Sequence, residues 1–207
     1  MSVWHKEILW ALTRGVHVFG AASVGALRAV ELERYGMRGV GEIFRAYRDG
    51  ELEDDDEVAV VHIPGQTFAC SSEAMVNIRS TLAAAAACGV VAEATSELLV
   101  SLAKNLFYPD RSYDRVVERG RQAGVPRAEL SRLSSWLRDH RLDPKRADAI
   151  AMLREIRAWL NTHPGRFQPA FELPETVHLT VMLRRAVPEH RDMAGGDGRG
   201  CQATDGL

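Results

Sequence analysis

At 207 residues with 46% apolar side chains, the chain can bury a sizeable core, as one domain or one core with a helical extension. A net charge of −2 gives no bulk electrostatic reason to expect nucleic acid or an anionic membrane as partner, and no apolar run approaches the ~18–20 residues of a membrane span. "MSVWHKEIL" lacks the basic and apolar regions of a secretory signal, and Cys70, Cys88 and Cys201 are too scattered for a disulfide framework or a zinc site, so a reducing cytoplasm is the expected compartment.

In chain order, residues 3–14 read as an amphipathic helix with Trp4, Ile8, Ala11 and Leu12 along one stripe, closed by Gly15. Val16–Phe19 reads as a buried strand. Residues 24–35 return to helical spacing through Leu27 and Val30, with Arg28 and Glu31 placed to support each other, and stop at Gly36. A further helix runs to about Arg48. The β-branched run 57–63, "EVAVVHI", predicts a second strand, and "SSEAMVNIRSTLAAAAACG" predicts a long helix with a Ser cap, ending at Gly89. Strand and helix alternate throughout, so residues 1–90 read as an α/β unit whose small, mainly parallel sheet is flanked by helices.

Beyond it, residues 91–187 read as an all-helical C-terminal extension, with helices at 92–107, 111–123, 126–139 and 144–160. The last opens on Asp143–Pro144, a capping residue followed by a first-position proline. Residues 175–183 fit either an edge strand or a final helical turn. The tail 188–207 has too few apolar residues to pack and is expected to be disordered.

Lysine is scarce. Of 26 basic residues 23 are Arg, and only Lys6, Lys104 and Lys145 can act as bases by losing a proton. A second feature is "GAASVG", residues 20–25, where a hydroxyl stands at a strand-to-helix turn among small residues. The first helix and strand should run antiparallel through a tight turn, each rising about 13 Å between Lys6 and Gly20, so Lys6 returns level with Ser23. Ser23 is then a candidate nucleophile, and Lys6 a candidate base if apolar surroundings such as Trp10 keep its amine uncharged. The backbone N–H groups of Val24, Gly25 and Ala26, opening the next helix, are candidate oxyanion donors. A plain N-cap or a generic anion-binding turn explains the same residues.

"SVWHKEILWALTRGVHVFGAASVGALRAVEL", "GVGEIFRAYRDGELEDDDEVAVVH" and "SEAMVNIR" together resemble the core of the TfuA family over about residues 2–79. The resemblance implies a partner of a YcaO enzyme, which uses ATP to activate a peptide backbone amide for thioamidation. It implies hydrolysis of the C-terminal thiocarboxylate of a ubiquitin-like sulfur-carrier protein to release sulfide, and help to YcaO in holding its substrate. It places the family's Ser–Lys pair on Ser23 and Lys6. No cofactor and no metal is expected. Such chains usually carry a segment before "VWHKE" that supplies an initial strand and helix, and here Met1 abuts the motif: either the start lies further upstream, or this is a shortened form whose sheet is expected to be one strand short of the family's.

Other candidates stand beside that pair. His5 and His62 are possible auxiliaries or satisfied structural histidines, His62 because it ends the expected second strand. Asp54, Asp55 and Asp56 would face a basic partner surface or a Mg²⁺ ion, or form a solvated turn. Glu73, Asn77 and Arg79 are assigned to an interface or to structure. No cysteine has the basic, exposed setting of a persulfide carrier, and Cys88, within its alanine run, is expected to be buried. Three functions remain open: a Ser–Lys thiocarboxylate hydrolase, a non-catalytic YcaO-binding protein that enhances peptide binding, and an unrelated module binding phosphate at the Gly20–Gly25 turn.

Overall fold

The computed structural model describes residues 4–63, 65, 70–174, 176 and 181. Trp4 donates its backbone N–H to the Glu7 carboxylate at 2.9 Å and so opens α1 (His5–Thr13), which turns Ile8 and Leu12 inward. Next come β1 (Phe19–Gly20), α2 (Val24–Leu32) with a 3₁₀ turn at its end, β2 (Arg38–Gly39) and α3 (Glu42–Arg48). β1 and β2 pair in parallel, Phe19 opposite Arg38 and Gly20 opposite Gly39. The chain is therefore α/β with a small parallel sheet and a helical extension, as the sequence predicts.

Gly20 is glycine because β1 and α2 touch backbone to backbone. A Cβ there would lie 2.1 Å from the Gly25 carbonyl oxygen and 2.6 Å from the Met37 methyl. Gly36, at φ +98°, ends the 3₁₀ turn in the left-handed region and lets the chain double back into β2.

Two strand expectations are corrected. The first strand is Phe19–Gly20 rather than Val16–Phe19, because Phe19 and Gly20 are the residues in register with β2, and Val16 is exposed. The second strand is β2, too short to carry any alternation, and not 57–63. Asp55–Glu57 is a 3₁₀ turn, and among the described residues after it one antiparallel bridge forms, His62 opposite Cys70. Some of the backbone groups that a neighbouring strand would pair go to side chains: Ser72 Oγ accepts from Val61 N–H at 2.9 Å and the Val58 carbonyl accepts from Lys145, while the Val61 carbonyl accepts from Ser71 N–H at 2.8 Å.

α4 (Met75–Ala87), α5 (Glu93–Lys104), α6 (Tyr113–Gln122), α7 (Arg127–Trp136) and α8 (Pro144–Thr162) match the predicted helices to within a few residues. Asp143 caps α8 as expected, accepting from Arg146 N–H at 2.9 Å. Two apolar clusters form. One joins α1, α2 and α3 around Leu12, Ala29 and Phe44, and the other joins α4 to α7 around Ile78, Leu99 and Leu133. α8 packs across α3, α4 and β1. It is anchored by Asp148, which is 4% exposed and accepts the Glu42 and Ile43 N–H groups, each at 2.9 Å, so a carboxylate from α8 caps α3. Stretch 175–183, apart from residues 176 and 181, and tail 188–207 lie outside the described residues.

Candidate functional site

The site grows out of the turn between β1 and α2. Ser23 N–H donates to the Ala21 carbonyl at 2.7 Å, and Ala22 between them sits at φ +66°, the one non-glycine residue at positive φ among the described residues. A Cβ in that region costs about 1–2 kcal/mol, so the turn stores strain at the residue before the hydroxyl. Ser23 is the N-cap of α2, yet its side chain does not cap it; Oγ points to the Val58 carbonyl at 3.5 Å, a long contact that leaves the hydroxyl available. Ala26 N–H is already bonded to the Ser23 carbonyl at 2.8 Å, which leaves the N–H groups of Val24 and Gly25, ahead of the helical ladder, as the oxyanion candidates.

Ser23, Val24 and Gly25 open onto a cavity of about 720 Å³. Ile8, Phe19 and Met37 supply apolar wall, and Arg28, His62 and Tyr108 supply polar groups. Neither Lys6 nor Lys145 lines it. Lys6 is half-buried on α1, two residues before the Ile8 that does. Lys145 stands in the first turn of α8, and its Nζ donates to the same Val58 carbonyl oxygen at 2.7 Å. Burial pushes the Lys145 ammonium below its ordinary value, and Cys70, Asp143 and Glu73 nearby offset only part of that.

The auxiliary candidates separate. His62 lines the cavity, with its Nδ1 3.6 Å from Cys70 Sγ. His5 stands on α1 with Nε2 2.6 Å from Glu31, which also takes Arg28 at 2.5 Å, so His5 bears on the cavity through Arg28. Asp54 and Asp56 are taken up in an internal ion network. Lys104 pairs with Asp54 at 3.0 Å and with Asp56, and the nearly inaccessible Arg111 pairs with Asp56 at 2.5 Å. Burial pushes the Asp56 carboxyl up, and the Lys104 and Arg111 hydrogen bonds more than reverse it. Asp55 is exposed. Cys88 is exposed too, contrary to expectation, because α4 ends at Ala87 and the cysteine sits on the cap beyond it. Among the described residues, no helix is long and apolar enough to cross a membrane.

A family model described as TfuA-like protein matches residues 1–112, which span the Ser23 turn, the Val58 carbonyl, His62 and the acidic run. The chain belongs to the TfuA-like protein family. No curated protein matches it closely enough to count as a relative. The TfuA-like family is associated with YcaO enzymes and with peptide thioamidation. Lys145 lies beyond the matched segment.

Val58 and Tyr108 line the cavity and Lys145 shares the Val58 carbonyl with Ser23, and sequence reasoning places none of the three beside Ser23. The scarcity of lysine singles out Lys145 as much as Lys6, but no spacing reveals that α8 returns to the second residue run of the α/β unit. The failed strand at 57–63 is the other signal, since its carbonyl is occupied by side chains of the site.

Proposed function

We propose that this TfuA-like protein hydrolyses the C-terminal thiocarboxylate of a ubiquitin-like sulfur-carrier protein and supplies the sulfide to a YcaO enzyme for peptide backbone thioamidation. The observation that carries the reading is the Ser23 hydroxyl, presented at a strained turn, unused as a helix cap, and open to a cavity large enough for an extended chain terminus.

Ser23 Oγ gives its proton to an uncharged amine and forms a bond to the thiocarboxylate carbon. The Val24 and Gly25 amides hold the oxygen that gains charge. The carbon–sulfur bond breaks, the amine returns the proton to sulfur, and hydrosulfide leaves. Water then cleaves the acyl-serine with the same amine as base, yielding the carboxylate and free Ser23. The apolar wall suits an extended tail. The resemblance implies Lys6 as the amine.

The test is hydrosulfide release from a thiocarboxylated carrier in the absence of YcaO. The expected result is release by the wild type and its loss in Ser23→Ala. A wild type that releases none, yet raises the apparent affinity of YcaO for its peptide, is instead the non-catalytic binding protein. Release that survives in Lys6→Ala removes Lys6 from the reaction and leaves the Ser23 step standing.

A further inference from the structure

We infer that Lys145, brought by α8 onto the Val58 carbonyl that Ser23 also touches, is the amine that takes the Ser23 proton. The inference rests on the reading of Ser23 as a nucleophile and deepens it by naming the base and the group that orients it.

One backbone oxygen gathers both side chains: Lys145 Nζ donates to it at 2.7 Å, and Ser23 Oγ lies 3.5 Å from it. An uncharged amine has two N–H donors and one lone pair. With one N–H spent on Val58, the lone pair is free for the neighbouring hydroxyl, and the carbonyl acts as the third member that fixes the base. Proton transfer then makes Lys145 an ammonium, which the same carbonyl stabilises, while the Oγ lone pair forms the bond to the acyl carbon. The ammonium returns its proton to the departing sulfur, so the lysine ends as it began.

The tether that sets this geometry is visible. Asp148, one turn after Lys145 on α8, caps α3, and Asp143 caps α8 itself, so Lys145 projects from a helix pinned on either side of it. The charged and titratable groups around the amine are Asp143 at the start of α8, Glu73 before α4, and Cys70 with its neighbour His62 on the bridged segment. Burial is the dominant influence on the amine and favours the uncharged form that a base requires. The carboxylates and the thiol oppose it in part.

The experiment treats the full chain with a fluorophosphonate, a reagent that phosphonylates nucleophilic serines, and follows the rate at Ser23 by peptide mass spectrometry across pH. The wild type is expected to label at Ser23, with a rate that rises through one ionisation below the ordinary lysine value of 10.5. Lys145→Ala should lose about 100-fold or more, and added alkylamines should restore the rate in proportion to their basicity. Lys145→Arg keeps a cation on Val58 but cannot give up its proton, so it should remain slow with an unchanged circular dichroism spectrum. Labelling of Lys145→Arg at the wild-type rate and pH profile overturns the assignment of Lys145 alone. So does a slow Lys145→Ala that amines do not rescue and Lys145→Arg restores, since that describes a structural cation. A wild type that never labels at Ser23 sinks the nucleophile reading, and the base with it.

Discussion

Removing the Asp148 carboxylate should loosen the N-terminus of α3 and, through α8, the lysine that reaches Val58. In the structure Asp148 is 4% exposed and each of its oxygens accepts one N–H at 2.9 Å, from Glu42 and Ile43. Hydrogen bonds to a charged acceptor contribute about 1.5–3 kcal/mol each, and water entering the vacated space recovers part of that, so Asp148→Ala should cost about 3 kcal/mol. Asp148→Asn keeps the shape and one acceptor, and should cost about half as much. Thermal and urea unfolding followed by far-UV circular dichroism measure this directly. For a chain of this length about 3 kcal/mol corresponds to a fall of roughly 6–12 °C in Tm. Gly41→Ala probes the same contact from the other side, since its Cβ would stand 2.2 Å from the Asp148 carboxyl carbon and Gly41 is at φ +101°. If Asp148→Ala unfolds within about 0.5 kcal/mol of wild type, a tolerance typical of neutral surface changes, the carboxylate is not holding α3 and the argument for a pinned α8 fails.

Gly20→Ala should destabilise by about 2 kcal/mol or more, because the added methyl meets the Gly25 carbonyl oxygen at 2.1 Å and backbone must move; equilibrium unfolding checks it, and a neutral result would refute the backbone-to-backbone contact. Ala22→Gly should stay within about 1 kcal/mol of wild type or gain stability, as the positive φ no longer opposes a Cβ. Burial pushes the Glu57 carboxyl up, but bonds from Arg79 at 2.8 and 2.9 Å and an ion pair with Lys104 hold it below its ordinary 4.5. Its contribution is therefore complete above that value and is lost as pH falls through the depressed one, so the Tm gap between wild type and Glu57→Gln should be widest near neutrality and close in acid. A gap that is constant with pH would show that the charge of Glu57 plays no part.

The helices were legible because each carries its own signal. Apolar residues recur along α1 and α2, Gly36 and Gly89 stop their helices, and Asp143–Pro144 announces α8. Those signals are local, acting through the hydrogen bonds and conformational preferences of residues a few positions apart. The prominence of Ser23 was legible for the same reason, since a hydroxyl among glycine and alanine at a strand-to-helix turn is a local pattern. The strands were read less well, since β2 has only Arg38 and Gly39, and the run 57–63, strand-like in composition, makes among the described residues just one bridge, His62 to Cys70.

By itself, the sequence determined the family, the α/β start, the helical continuation and the serine at the turn. That Ser23 and Lys145 share one carbonyl oxygen was decided only in three dimensions. The Val58 carbonyl, the Asp148 cap on α3 and the Lys145 contact each join segments far apart in the chain, and such contacts follow from how helices pack against one another, which no periodicity within one segment records.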